Sequence, residues 1–184
     1  LDVFSYGTYA YQYNYSHDNA GGFFMTVGAS NHCLPDEVFV RYNISQNDRH
    51  SGNWPDTTIN VMADNISIYN NTFYESNGEG FKIKDKSNLY FYNNIFYSTS
   101  PGSYPQSPTY DYNCFYGHTG PAKDVHKIVT DPMFVNPGAG LDGINTVSGY
   151  QLQSSSPCIN RGKVIENNGG RDYWGNPLYN GAPD

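Results

Sequence analysis

The sequence predicts an all-β chain wound as a parallel β-helix of about five coils with an irregular C-terminal capping segment. Three observations predict it: a Tyr-Asn corner that recurs five times, short runs of alternating apolar and polar residues around each corner, and no stretch longer than about two turns with apolar residues at helical spacing. Composition agrees. Of 184 residues 15% are charged and 16% aromatic, with 18 Tyr, 19 Gly and 11 Pro, a mixture that favours strands and turns over amphipathic helices.

The corners read, in order, "QYNYS" with Asn14, "RYNIS" with Asn43, "IYNNTF" with Asn70, "FYNNIF" with Asn93 and "DYNCF" with Asn113. Their spacings of 29, 27, 23 and 20 residues are each the length of one supersecondary unit. The fullest unit runs "GFKIK" (80–84), "NLYFY" (88–92) and "NIFYS" (94–98). Three strands per repeat with no helix between them exclude a crossover α/β unit, and fit a winding in which each strand pairs with its equivalent about 4.8 Å away. Stacked at that spacing, the side-chain amides of the five Asn residues are expected to hydrogen-bond in a ladder that satisfies a tight inward corner. The preceding Tyr residues are expected to stack beside it. Residues 1–120 are thus assigned to the coils, and residues 121–184 to a Gly- and Pro-rich segment of the same domain, whose anchors Met133, Phe134, Val135, Leu152 and Ile159 are expected to cover the last coil.

The net charge of −7 and the scattered Lys and Arg exclude a nucleic-acid backbone as partner. No apolar run has membrane-spanning length, so no membrane insertion is expected. The opening "LDVFSYGTYAYQYNYS" is already in strand rhythm and reads as part of a longer secreted precursor, with upstream coils of the same polypeptide as a partner. Cys33, Cys114 and Cys158 have no metal-site or redox-motif spacing and read as buried thiols, a Cys114–Cys158 bridge being the alternative. The sequons at Asn14, Asn43, Asn65 and Asn70 are set aside, because the ladder gives most of these Asn residues another role.

The repeated corners, over Leu1 to about Tyr116, resemble the right-handed parallel β-helix superfamily of pectate-lyase-like proteins. "DPMFVNPGAGLDG", "YQLQSSSPCINRG" and "GNPLYNGAPD" are similar to the closing segment of secreted bacterial β-helix proteins. The resemblance implies a right-handed winding, an extracellular location, either secreted or at the cell surface, and a polysaccharide partner bound along an outward strand face.

Candidate chemistry follows from aligning "AGGFFMTV", "TTINVM" and "GEGFKIK". In that register Phe23, Ile59 and Phe81 face inward with Met25, Val61 and Ile83, while Phe24, Asn60 and Lys82, then Thr26, Met62 and Lys84, face outward. The adjoining loops place His17, Gln46 and Glu75 in one row and Asn19, Asp48 and Asn77 in the next. The insertion "NDRHSGNWPDT" adds Arg49, His50, Trp54 and Asp56. A polysaccharide lyase needs a base and a cation to neutralise a uronate; Lys82, Lys84, Arg49 or His50 supply the first, and Asp18 with Asp48 are the candidate Ca2+ ligands for the second. A glycosidase needs two carboxyls about 5 to 9.5 Å apart, for which Asp18 with Asp48, or Asp48 with Glu75, are candidates. The catalytic candidates are therefore Asp48, Arg49, His50 and Lys82, and the substrate-binding candidates His17, Trp54, Glu75 and Lys84. The polygalacturonase-like Asp pairs and Gly-His-Gly are absent, as are the Arg- and Trp-containing signatures of the best-known pectate lyases. The leading expectation is a secreted carbohydrate-active β-helix that binds and cleaves a polysaccharide along an elongated groove; the alternative is a noncatalytic surface or adhesive β-helix, serving as a rigid spacer or a glycan-binding scaffold.

Overall fold

Alternation is the local origin of the fold. In Leu89–Tyr92 the first and third residues are buried and the second and fourth half-exposed, the signature of a strand with one face on a core. The computed structural model describes residues 7–26, 37–49, 52, 56–84, 88–139 and 147–178. In chain order its strands are β1 (Thr8–Gln12), β2 (Tyr15–His17), β3 (Phe24–Thr26), β4 (Glu37–Arg41), β5 (Ile44–Gln46), β6 (Ile59–Val61), β7 (Ile66–Tyr69), β8 (Thr72–Glu75), β9 (Leu89–Tyr92), β10 (Ile95–Ser98), β11 (Thr109–Asp111), β12 (Cys114–Tyr116) and β13 (Ile128–Val129). They form three parallel sheets: β1-β4-β7-β9-β11, β2-β5-β8-β10-β12-β13, and the pair β3-β6, which single bridges extend through Ile83. The architecture is all-β and compatible with a parallel β-solenoid.

The core lies between the sheets. Tyr11, Val40, Ile68, Phe91 and Tyr110 form one inward row across the first sheet. Across the second, Phe73, Phe96 and Phe115 stack with ring centroids 5.0 and 5.2 Å apart and are fully buried. Each such ring contributes about 2 kcal/mol of transfer free energy, so the two rows dominate the apolar interior.

The corner between the first two sheets is turned by one residue with positive φ: Tyr13, Tyr42, Asn70, Asn93 and Tyr112, all between 52° and 60°. Asn tolerates this left-handed region; Tyr does so less readily. Packing accompanies the unfavourable choice, since Tyr13 stacks on Tyr42 at 5.6 Å and Tyr112 on His126 at 4.4 Å.

The amide ladder follows the next residue. Asn14, Asn43, Asn71, Asn94 and Asn113 are joined by Nδ2–H donation to the following Oδ1 at 2.9 to 3.0 Å, with matching backbone N–H donation. The expected ladder is thereby corrected: in the two Asn-Asn repeats the second amide belongs to it, while Asn70 and Asn93 occupy the left-handed corner. Aligning Tyr-Asn pairs placed two repeats one residue out of step. The row ends at Asp124, 1% exposed, whose oxygens accept from Asn113 N and Nδ2 and from Tyr112 N. A carboxylate only accepts, so it closes a row that runs by donation.

The third sheet corrects the face assignment. Phe24, not Phe23, pairs with Ile59, and Ile59 bridges Ile83 rather than Phe81. Phe24 and Thr26 are buried and Met25 half-buried, the reverse of the expected pattern. Phe23 is spent on the turn, where its N–H donates to Thr58 O while its ring enters the core.

Residues 147–178 lie along the outer face of the second sheet and across the amide corner. Phe134, Val147 and Tyr150 pack on Ile44 and Tyr74 in a second apolar cluster. Of the expected anchors Phe134 is buried and Leu152 packs against that cluster, whereas Val135 is 57% exposed. Tyr150 Oη donates to Gln46 Oε1 at 2.5 Å, Arg41 Nη1 donates to Asn167 O at 3.0 Å, and Asn93 exchanges hydrogen bonds with Lys163 backbone at 2.7 and 2.8 Å. Cys114 and Cys158 are buried and not joined as a disulfide, which sets aside the bridge between them; a hydrogen bond to Cys158, then burial, pushes the Cys114 thiol up. Cys33 lies outside the described residues.

Candidate functional site

Asp48 follows the left-handed Asn47 and turns inward at the second corner. It is fully buried: Oδ1 accepts Asn19 N and Nδ2 at 3.1 and 2.8 Å, and Oδ2 accepts Ser45 Oγ at 2.8 Å. Burial pushes its carboxyl up, while hydrogen bonds from Ser16, Ser45 and Asn19 pull it back. The Asn19–Asp48 step of the expected row is present. Asn77 is not its continuation, since Asn77 Nδ2 donates to Arg49 O.

Glu75 was expected beside His17 and Gln46; that row holds Tyr74 instead, followed by Tyr97 and Tyr116. The shift of one position turns Glu75 to the interior, level with Ser98. It is 1% exposed, and neither carboxylate oxygen has a hydrogen-bond partner among the described residues. Burial first, then the Asp48 charge, push its carboxyl up to about 8, with Arg49 opposing.

Arg49 and Lys82 do converge, on Asp56. Arg49 is buried, and its Nη1 donates to the carbonyls of Glu79 and Gly80 and its Nη2 to Asp56 Oδ1 at 3.1 Å. Lys82 Nζ reaches Asp56 Oδ2 at 2.7 Å. The hydrogen bond from Lys82, opposed by desolvation and helped by Arg49, holds the Asp56 carboxyl below its ordinary range. Lys84 is exposed. His17 Nδ1 meets Asp18 Oδ2 at 3.0 Å on the surface. Asp18 is thus an exposed loop carboxylate and Asp48 an enclosed one, and among the described residues no group of three or more His, Cys, Asp or Glu is placed to hold a metal. His50 and Trp54 lie outside the described residues.

A second place has no counterpart in the sequence reading. Where 150–178 crosses the amide corner, an open groove of about 590 Å³ runs between them. Its floor includes Tyr42, Asn70 and Asn93, and its wall Asp172, Trp174 and Asn176. The wall is a tight turn: Asp172 Oδ1 accepts Asn176 N at 2.7 Å, Oδ2 accepts Asn176 Nδ2 at 2.8 Å, and Gly175 N donates to Asp172 O at 3.1 Å. This presents Trp174, 39% exposed, braced edge-on by Tyr173 at 5.3 Å. The available signal was "DYWGN", two aromatics inside a turn phrase.

Among the described residues no helix is long and apolar enough to cross a membrane. No protein-family model matches the chain, nor does any curated protein.

Proposed function

We propose that the chain is part of a right-handed parallel β-helix, secreted or held at the cell surface, that binds a polysaccharide without cleaving it at the Asp48–Glu75 corner. The observation that carries the noncatalytic reading is the burial of both carboxylates: Asp48 is 0% and Glu75 1% exposed, and Asp48 has both oxygens engaged by its own scaffold. A general acid or base must lie within hydrogen-bond reach of the sugar, and these do not face solvent. The recurring corners and parallel strands support the β-helix, and the polysaccharide follows from the resemblance of those corners. Upstream repeats of the same polypeptide are part of this reading. Asn14 Oδ1 accepts no hydrogen bond from the described residues, so it offers the ladder's next step to another amide.

The test is incubation with a panel of neutral and acidic polysaccharides, scoring retention by affinity electrophoresis and products by ultraviolet absorbance and reducing ends. Retention without products, unchanged in Lys82→Ala, is the expected result. Turnover that disappears in Asp48→Asn or Lys82→Ala with the fold intact overturns the noncatalytic reading and restores a lyase or hydrolase.

A further inference from the structure

The groove between the amide corner and the C-terminal segment is not part of the expected site, and its chemistry is narrower than "polysaccharide". Among its described lining residues Asp172 is the one carboxylate, and there is no Lys, Arg or His. Both Asp172 oxygens are already engaged by Asn176, so its charge is committed to holding the turn. A uronate would enter with no cation to receive its carboxylate, and a cationic ligand would find one acid already in use. What remains is amide and aromatic. Trp174 offers an indole on a turn fixed by three hydrogen bonds, a platform that loses little conformational freedom on binding. Tyr42, Asn70 and Asn93 line the opposite side from the positive-φ row of three successive repeats; the Asn93 amide is held by Lys163 backbone and donates to Asn70 Oδ1, so on this side Asn70 Nδ2 is the amide donor left for a ligand. A pyranose ring has an apolar C–H face and a rim of hydroxyls, and so matches an aromatic surface beside amides.

We propose that this groove is a binding site for a neutral saccharide chain, with Trp174 as its stacking platform. The proposal rests on the glycan-binding reading above and specifies its place and substrate class. An occupant lying along the corner row passes successive repeats, so the site takes an oligosaccharide in preference to a monosaccharide.

The test is isothermal titration of the full chain with neutral hexasaccharides of glucose, mannose and xylose and with oligogalacturonate. It is repeated on Trp174→Ala and Trp174→Phe. The expected result is binding of a neutral hexasaccharide that weakens about tenfold or more in Trp174→Ala and stays within about threefold in Trp174→Phe. A readout needing no variant is protection of Trp174 from N-bromosuccinimide oxidation by the bound hexasaccharide, followed by peptide mass. Neutral binding that ignores Trp174→Ala and leaves Trp174 unprotected overturns the groove but leaves glycan binding standing. Binding of oligogalacturonate alone overturns the neutral class. Binding of no glycan at all removes both this proposal and the reading beneath it.

Discussion

Two polar rows cross the interior at successive corners, and they are satisfied very differently. At the first, every repeat places the same amide at the same position: Asn14 donates, and Asn43, Asn71, Asn94 and Asn113 each accept from one neighbour and donate to the next until Asp124 closes the row. At the second, Asn19 meets Asp48 and the pattern then breaks: the next repeat supplies Glu75, turned inward one position earlier and without a hydrogen-bond partner among the described residues. A repeated residue that carries both donor and acceptor extends without limit. An ionised carboxylate only accepts, so a second acid beside the first gains nothing by ionising and is pushed towards its protonated form.

The sharpest way to break the comparison is Asn71→Ala. It removes five side-chain hydrogen bonds, to Asn94 Oδ1, Val40 O and Tyr69 O and from Asn43 N and Nδ2. Because several partners stay buried and unpaired, the expected loss is about 3 to 5 kcal/mol by urea unfolding. A loss below about 1 kcal/mol would mean the row is decorative.

Glu75→Gln probes the unsatisfied corner. The folded carboxyl titrates near 8 against an ordinary 4.5, so between those values the folded chain keeps a proton that the unfolded chain has lost. Stability from this group is therefore fully present below about pH 4.5 and drains away as pH rises through about 8. Glutamine removes that slope, so the variant is expected to be more stable than the parent at about pH 9 by on the order of 2 kcal/mol, and nearly equal to it at low pH. Parallel stability curves for the two proteins from about pH 5 to about pH 9 would show that Glu75 is not the strained member.

The smallest effect is expected at the edge of the second apolar cluster. Tyr150→Phe deletes the bond to Gln46 Oε1 and the one received from Gly138 N, while keeping the ring packed. The expected cost is about 1 kcal/mol, with faster protease cleavage between 151 and 178 as the local readout. An unchanged cleavage rate would show that packing alone holds this segment.

Much of the fold is legible in residues 38–40, 66–68 and 89–92, short runs rich in β-branched and aromatic residues whose preference for a strand is a local property. The corner is legible too, though only to within one residue. In "YNN" both amides suit the ladder, and the choice falls to the one whose predecessor takes positive φ. The third sheet is legible only coarsely. Phe23 and Phe24 are both apolar, so periodicity does not reveal which belongs to the strand, and a slip of one inverts the face. The same slip carried Glu75 from an expected surface row into the interior. Of the expected site, Arg49 and Lys82 meet on Asp56, but Asp48 went to the scaffold.

The sequence by itself determined that strands would form, that each repeat would turn at an Asn-bearing corner and that like residues would align, because strand alternation and left-handed preference act over a few bonds. Tertiary structure decided which amide joined the row, which phenylalanine paired with Ile59, and that residues 147–178 would lie along a flank. Those outcomes depend on surfaces brought together from distant positions, as when Tyr150 reaches Gln46 across 104 residues, and no local pattern encodes such a meeting.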